Sequence, residues 1–260
     1  MTKTAIRIIL FYVCFFLISI IVKAQEQNAP NEALKDTVKV NELLKLSKDN
    51  FSEAPGKSIT YATEAIKISE KIQYDKGKAL GLKNIGIAYY YQGNYVSALD
   101  FWEQSLATFE KMKDEVGISN LLNNIGAVYF NRGDDAKALD YYLRSLKLAE
   151  HSKDRLRILT AMNNIGSVYL NKIATHDKAL FYFLKALPLS EELKDSEAIG
   201  TASVNLGEIY YARNQDSLAL FYYNKSLTAF NNSENSPYSY NAIGKVYTRQ
   251  KKFELAIKYH

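Results

Sequence analysis

The sequence contains very little cysteine and histidine, and this scarcity excludes several kinds of chemistry. Cys14 is the single cysteine among 260 residues, so an internal disulfide and a multi-cysteine zinc site are both excluded. His151, His176 and His260 lie far apart, and none has a second ligand at a metal-binding spacing. No G-x-S-x-G nucleophile elbow and no glycine-rich dinucleotide loop occurs. The sequence therefore predicts a protein that is not an enzyme and that uses no metal or cofactor.

Long stretches of one charge are also lacking. The chain has 33 lysine and arginine residues against 28 aspartate and glutamate residues. Three of the basic residues fall in the first 24 positions, so the remainder carries 30 against 28. Nucleic-acid binding needs a concentrated basic surface, commonly with interleaved aromatic residues. We therefore expect no nucleic-acid partner.

A long uncharged run stands at the N-terminus. Lys3 and Arg7 precede fifteen uncharged residues at 8–22, and small side chains flank a possible cleavage point after Ala24. This order is typical of a secretory signal peptide. An uncleaved membrane anchor is the alternative, although fifteen residues are fewer than the roughly 20 that span a bilayer. We predict a signal peptide at residues 1–24, and hence export, most simply to a bacterial periplasm.

A short motif recurs through the rest of the chain. Its form is Gly-x-x-Tyr, usually preceded by asparagine and an aliphatic residue, and its glycines are 40, 40, 41 and 37 residues apart. The five copies are Gly86 with Tyr89, Gly126 with Tyr129, Gly166 with Tyr169, Gly207 with Tyr210, and Gly244 with Tyr247. A fixed period of this size indicates a solenoid of stacked helical units.

A second motif follows each copy. Nine or ten residues after the tyrosine comes an alanine, and in four copies an aromatic ring stands four residues beyond it. The alanines are Ala98, Ala138, Ala179, Ala219 and Ala256, and the rings are Trp102, Tyr142, Phe183 and Tyr223. Such offsets mark one face of a helix. Because glycine within a helix costs about 1 kcal/mol relative to alanine, its recurrence predicts close contact between the first helix (A) and the second helix (B) of each unit.

Turn residues separate the predicted helices. Gly93 and Gly133 stand where two A helices should end in a left-handed conformation. An aspartate precedes each of four A helices at the predicted N-cap position. These residues are Asp75, Asp114, Asp154 and Asp195.

The combined pattern resembles the tetratricopeptide repeat family. The residues that carry the resemblance are Gly126-x-x-Tyr129, Gly133, Ala138, Tyr142 and Ser145. The resemblance covers roughly residues 38–260, and its units are longer than the family's common form of about 34 residues. Long units of this kind are similar to those of bacterial tetratricopeptide-containing signalling proteins. The resemblance implies an all-α, right-handed superhelical solenoid of antiparallel helix hairpins, with the A helices lining a concave groove.

The repeats predict the domain order. Residues 25–37 are polar and are expected to form a tether, and residues 38–73 form a degenerate first hairpin without the Gly-x-x-Tyr motif. The later units are expected near 75–113, 114–153, 154–194 and 195–233, with an incomplete repeat at 236–260. Because the last unit stops within its B helix, we expect either a longer natural protein or self-association through the uncapped end.

Asparagines in the A helices are the candidate binding residues. Asparagine is a mediocre helix former because its side chain competes for backbone hydrogen bonds, so its recurrence needs a cause. The residues are Asn84, Asn124, Asn164 and Asn205, two positions before the motif glycine, together with Asn123 and Asn163 one place earlier. The resemblance implies that amides at this place grip the backbone of an extended peptide. The alternative is a ladder of amides that fixes the stagger of neighbouring A helices.

Two other sets of residues bear on binding. Lys83 resembles one basic member of the carboxylate clamps of chaperone-binding relatives, but Asn123 and Asn163 occupy the corresponding places of the next units. The clamp is incomplete, so we do not predict binding of chaperone tails. The residue after each motif tyrosine either faces the groove or packs between repeats. These residues are Tyr90, Phe130, Leu170 and Tyr211.

The sequence as a whole predicts a non-catalytic scaffold that binds a protein or an extended peptide in the concave groove. The alternative is the N-terminal sensor region of a longer signalling protein, such as a histidine kinase, with its effector beyond His260. A third possibility, a glycan-binding or envelope-assembly protein, requires exposed aromatic platforms that a sequence alone does not reveal. Membrane contact is expected only through the N-terminal segment or a missing C-terminal part.

Overall fold

The computed structural model describes residues 34–231 and 236–259, which are α-helical apart from short turns and contain no strand. The helices are α1 (34–48), α2 (Pro55–Lys71), α3 (Asp75–Tyr91), α4 (Tyr95–Met112), α5 (Glu115–Asn131), α6 (Asp135–His151), α7 (Arg155–Leu170), α8 (His176–Leu193), α9 (Ser196–Ala212), α10 (Asp216–Phe230), α11 (Ser236–Arg249) and α12 (Phe253–Tyr259). A 3-10 turn at Ile173–Thr175 precedes α8. The predicted signal peptide at 1–24 lies outside the described residues.

The chain divides into two compact units, one ending at Thr108 and the other beginning at Phe109. The first unit holds α1 to α3 and most of α4. The second holds the remainder of α4 and the hairpins α5–α6, α7–α8, α9–α10 and α11–α12. The helices α3 to α10 have 15 to 18 residues each, which agrees with the prediction from the long repeat.

The first unit begins earlier than its sequence suggests. Helix α1 starts at residue 34, so the last four residues of the stretch expected to be a tether are helical. Asp36 in this added turn forms an ion pair with Lys71 at the end of α2, 3.6 Å away. Val40, Leu43 and Leu44 of α1 are buried against α2, and this burial stabilises a helix that lacks the repeat signature.

In the second unit, the apolar core lies between consecutive hairpins. Each buried cluster combines residues of one B helix with residues of the next A helix. The clusters are Ala138, Tyr142 and Leu146 with Ala161, Ile165 and Val168; Ala179, Phe183 and Leu187 with Ala202, Leu206 and Ile209; and Ala219 and Tyr223 with Ala242, Ile243 and Val246. A single hairpin therefore contributes only half of each core that it borders.

The predicted close approach of A and B helices is confirmed at the motif glycines. A Cβ atom placed on Gly126 would lie 2.7 Å from the ring of Tyr142, and one on Gly166 would lie 2.7 Å from the ring of Phe183. The corresponding distance from Gly207 to Tyr223 is 2.5 Å. Since real Cβ atoms do not approach other atoms this closely, each B-helix ring occupies space that exists only because the A helix has no side chain there.

The motif tyrosines lie at the rim of this contact. Four of the five stack on a ring of their own B helix with centroids 5.4 to 6.0 Å apart, and Tyr247 is tilted at 40° against Tyr259 of α12. The pairs are Tyr89 with Phe101, Tyr129 with Tyr141, Tyr169 with Tyr182, and Tyr210 with Tyr222. The next residues along pack into the cores: Phe130, Leu170 and Tyr211 against the clusters between hairpins, and Tyr90 against Trp102. Packing within the protein, rather than exposure in a groove, therefore explains why a large side chain follows each of these tyrosines.

The predicted caps are present with one exception. Gly93 and Gly133 have φ values of 73° and 75°. The carboxylates of Asp114, Asp154 and Asp195 accept hydrogen bonds from backbone N–H groups in the first turns of α5, α7 and α9. Asp75 is not an N-cap: it is the first residue of α3, and Tyr74 precedes it. The spacing from Asp75 to Asp114 is 39 rather than 40 residues, which places Asp75 one position too late.

Alanine substitutions at two helical glycines test the contact between A and B helices. We expect Gly126→Ala to destabilise the chain by about 1–3 kcal/mol, the usual effect of overpacking, because the Tyr142 ring is buried and has little freedom to move. Gly56→Ala is the matched control, since no atom lies within 4 Å of the added Cβ. It should be neutral or slightly stabilising. Thermal melts compare the two, and equal melting temperatures would contradict the packing role of Gly126.

Candidate functional site

The predicted binding asparagines have two kinds of environment. Asn84 and Asn123 are buried, each with 6% of its surface exposed. Asn84 Nδ2 donates a hydrogen bond of 3.2 Å to the carbonyl oxygen of Leu44 in α1. Asn123 Nδ2 donates one of 2.8 Å to Ser145 Oγ in α6. The other four, Asn124, Asn163, Asn164 and Asn205, are half-buried.

One of these half-buried residues joins a relay between helices. Asn164 Nδ2 of α7 donates to Asn123 Oδ1 of α5 at 3.2 Å. Asn123 in turn donates to Ser145 Oγ, which donates to the Ser119 carbonyl oxygen at 2.8 Å. The relay connects α5, α6 and α7 through their side chains. At these positions the amides hydrogen-bond to neighbouring helices, as the alternative interpretation of their recurrence expects.

The other predicted binding residues do not belong to this relay. Asn124 Nδ2 and Asn163 Oδ1 are buried and have no hydrogen-bond partner among residues 34–231 and 236–259. Lys83 is half-buried, and its carbonyl oxygen accepts a hydrogen bond from Trp102 Nε1 at 3.0 Å. Asn205 lines an open cleft on the second unit. A peptide-binding role stays a prediction for these residues and equally for Asn84, Asn123 and Asn164.

This cleft, which we call the α9 cleft, lies where α9 meets the end of α10 and the start of α11. Its volume is about 390 Å³, and its lining residues are Glu197, Thr201, Val204, Asn205, Phe230 and Tyr238. The four α9 residues share one helical face, since they are spaced by four, three and one positions. Phe230 is 7% exposed and Tyr238 is 52% exposed, so the cleft has an apolar floor and an aromatic rim.

A carboxylate fixes the rim of the α9 cleft. Glu208 Oε1 accepts hydrogen bonds from the hydroxyls of Tyr223 at 2.9 Å and Tyr238 at 3.0 Å. These bonds connect α9 to α10 and α11. Burial, followed by the negative charge of Glu208, raises the pKa of Tyr238 to about 12 and also raises the pKa of Tyr223. Tyr238 is thereby held as a neutral phenol beside the cleft.

Sequence reasoning found only Asn205 of the α9 cleft. Thr201 and Glu197 could have been found, because they precede Asn205 by one and two helical turns. Phe230 and Tyr238 carry no repeat signature, since they flank the irregular stretch between α10 and α11.

The α9 cleft offers binding groups of several kinds. Its amide, hydroxyl and phenol groups can donate and accept hydrogen bonds, and its aromatic and aliphatic side chains provide apolar surface. No group of three or more histidine, cysteine, aspartate or glutamate side chains among the described residues could hold a metal ion. None of the described helices is both long enough and apolar enough to cross a bilayer.

Comparison with known families identifies the repeat. Two family models, both described as tetratricopeptide repeat, match residues 117–192 and residues 82–112. A sequence comparison with curated proteins gave no match.

Solved structures share the fold. A STAND signal transduction ATPase with a tetratricopeptide repeat sensor, from Pyrococcus horikoshii, has a TM-score of 0.70 at 18% identity, over 86% of this chain and 36% of that protein. The apo form of the quorum sensor NprR from B. thuringiensis has a TM-score of 0.65 at 15% identity, over 95% of this chain and 70% of that protein. A Rap protein complexed with competence and sporulation factor has a TM-score of 0.63 at 16% identity, over 87% and 74%. The predicted solenoid of helix hairpins is confirmed.

Two adjacent asparagines in α5 provide a matched test of the relay. Asn123→Ala should destabilise the chain by about 1–3 kcal/mol, because it leaves buried partners unsatisfied. Asn124→Ala should change stability by less than about 0.5 kcal/mol, because it removes an unpaired buried amide and alanine is the better helix former. Urea unfolding of both variants measures the difference. Equal destabilisation would show that the relay is not what distinguishes these residues.

The hydrogen bond between Glu208 and Tyr238 predicts that the stability of the folded chain depends on pH. The pKa of Tyr238 is higher in the folded chain than the ordinary value of 10.0, so the folded state retains a proton that the unfolded state loses. The stabilisation is complete below pH 10 and is lost as the pH rises towards 12. Tyr238→Phe should therefore be less stable than the wild-type chain at pH 8, and the difference should shrink above pH 10. Thermal melts across this range measure it, and a constant difference would contradict the assignment.

Proposed function

Because this chain belongs to the tetratricopeptide repeat family, we propose that it is a non-catalytic scaffold that binds another protein or an extended peptide. The observation that carries the proposal is the α9 cleft. It combines hydrogen-bonding groups on one helical face with apolar surface from two neighbouring helices. Specific recognition needs both features together, since apolar burial supplies affinity and a few placed polar groups fix orientation.

The geometry of the cleft suits a polypeptide main chain. The Asn205 amide can donate to a peptide carbonyl and accept from a peptide N–H, and the Thr201 hydroxyl one turn away can do the same. Val204 lies between them on the same face, and Phe230 forms the floor. A peptide could therefore pair its backbone along α9 while one of its side chains rests on Phe230.

Proteins of the same fold support a ligand of this class. The Rap structure is a complex with competence and sporulation factor, and NprR is a quorum sensor. Both share with this chain the fold alone, at 15% to 16% identity. Their partners give no residue-level guide to the α9 cleft, so the site must be tested on this chain.

Selection from a random peptide library displayed on phage tests the proposal without a known partner. The full chain should select peptides. Asn205→Ala should lower the affinity for these peptides about tenfold, which corresponds to the loss of hydrogen bonding worth about 1.4 kcal/mol. The matched control is Asn224→Ala on α10, where the exposed amide donates a hydrogen bond to the Leu220 carbonyl of its own helix. This variant should bind selected peptides normally.

Two results would contradict the proposed site. One is a failure to select any peptide with the folded wild-type chain. The other is selection of peptides whose affinity is the same for Asn205→Ala and Asn224→Ala. Melting temperatures of both variants should equal that of the wild type, so that a loss of binding reports on the α9 cleft rather than on unfolding.

A sensor role within a longer signalling protein is a second candidate function. The observation that favours it is the STAND protein, in which a tetratricopeptide repeat sensor is one part of a multidomain ATPase and this chain spans 36% of the whole. The coding sequence beyond the codon for residue 260 separates the two candidates. An open frame that continues into an effector domain supports the sensor, and a stop codon supports a stand-alone scaffold.

We also propose that the chain is exported. The support is the order of charge, uncharged run and small residues over positions 1–24. N-terminal sequencing of the protein from its host provides the test. A mature chain that begins at Gln25 supports cleavage and export, whereas retention of Met1 supports the membrane anchor.

A further inference from the structure

We propose that a second cleft, formed where the rings of Tyr169, Phe181 and Tyr182 meet the side chains of Asp177 and Lys178, binds a saccharide. This ring cleft has a volume of about 430 Å³. It lies beside the turn between α7 and α8, which spans residues 171–175 and contains the 3-10 turn, whereas the turns α3–α4, α5–α6 and α9–α10 span only 92–94, 132–134 and 213–215. It shares no lining residue with the α9 cleft.

The rings of the ring cleft form a connected and partly exposed platform. Phe181 meets Tyr182 edge to face, with centroids 5.2 Å apart and an interplanar angle of 88°. Tyr182 stacks on Tyr169 at 6.0 Å and 18°. Phe181 is 53% exposed, although an aromatic side chain usually gains much from burial. Because Phe181 stands nearly perpendicular to Tyr182, the platform is stepped, and its exposed Phe181 ring offers the apolar surface on which the C–H face of a sugar ring can rest.

Polar groups of both kinds surround this platform. The Asp177 carboxylate is an acceptor, and a hydrogen bond of 2.7 Å from Arg213 Nη2 holds it in place. Lys178 Nζ lies 5.2 Å from the centroid of the Tyr169 ring, and Lys185 Nζ lies 4.2 Å from that of Phe181. Both ammonium groups are donors placed close to ring faces. Sugar hydroxyls donate and accept hydrogen bonds, so a saccharide can use both kinds of group at once.

The same geometry favours a saccharide over a polypeptide. A protein partner is usually anchored by an apolar side chain that is fully desolvated in a deep, well-packed pocket. The ring cleft offers instead an exposed phenylalanine ring with charged groups of both signs around it. Such a surface suits a ligand with one apolar face and many hydroxyls.

The next hairpin repeats the ring arrangement. Phe221 meets Tyr222 edge to face at 5.1 Å and 83°, and Tyr222 stacks on Tyr210 at 5.4 Å and 2°. Phe221 is 59% exposed. The α5–α6 hairpin has Asp140 at the position of Phe181. Two exposed phenylalanines at the same place in successive hairpins fit a linear oligosaccharide that extends from one ring set to the next.

Titration of the full chain with maltohexaose, cellohexaose and chitohexaose tests the proposal. Calorimetry and saturation-transfer NMR should detect at least one of them with a Kd on the order of 1 mM or tighter. Phe181→Ala should lower the affinity for that saccharide at least tenfold. It should leave the melting temperature unchanged, because the ring is largely exposed. Phe221→Ala should lower the affinity for the hexasaccharide more than the affinity for the trisaccharide of the same sugar. Asp140→Ala, at the corresponding position of the α5–α6 hairpin, should have no effect.

The proposal is overturned if none of the three hexasaccharides binds at millimolar concentration, or if the one that binds does so equally well to Phe181→Ala. It is also overturned if Phe181→Ala reduces capture of library-selected peptides while no saccharide binds, since the surface would then dock polypeptide. Asn205→Ala should bind the saccharide normally. Failure at the ring cleft and failure at the α9 cleft are therefore distinguishable.

Discussion

The structure depends on the contact between the glycine of each A helix and the aromatic ring of its B helix. Without a Cβ atom at Gly126, Gly166 or Gly207, the ring of the partner helix lies directly on the backbone. This contact sets the distance between the two helices of a hairpin. Because that distance is set by backbone and a rigid ring, the small residues of the B helix face the next A helix in the same way each time, and the buried clusters between hairpins recur.

The regular packing leaves the A helices with a polar face whose residues serve different purposes. Asn164 and Asn123 use their amides to join helices, and Ser145 extends that relay into a B helix. Asn205 lies instead in a cleft that Glu208 borders through its hydrogen bond to Tyr238. The same side chain at the same repeat position thus joins two helices in one hairpin and lines a cleft in another.

The periodic features of the fold could be predicted from sequence because identical spacings impose identical contacts. The glycines, rings, alanines and most caps follow from that rule, and the one misplaced cap, Asp75, falls where the spacing changes by a residue. The asparagines could not be sorted in this way, since the partner of an amide depends on which group a neighbouring helix offers beside it. Asn84 meets a carbonyl of α1, whereas Asn164 meets a second amide. Phe230 and Tyr238 could not be predicted as cleft residues because neither belongs to the recurring motifs.

The sharing of each core between neighbouring hairpins bears on how such a chain changes in length. An added hairpin brings the second half of one core and the first half of the next, so a whole unit can be duplicated without exposing a new apolar surface inside the array. A cut within a hairpin would separate a glycine from its ring. This architecture can therefore gain or lose whole units of about 40 residues and keep its buried contacts. The rings around Phe181 and Phe221 have the same arrangement, as duplication of one hairpin would produce.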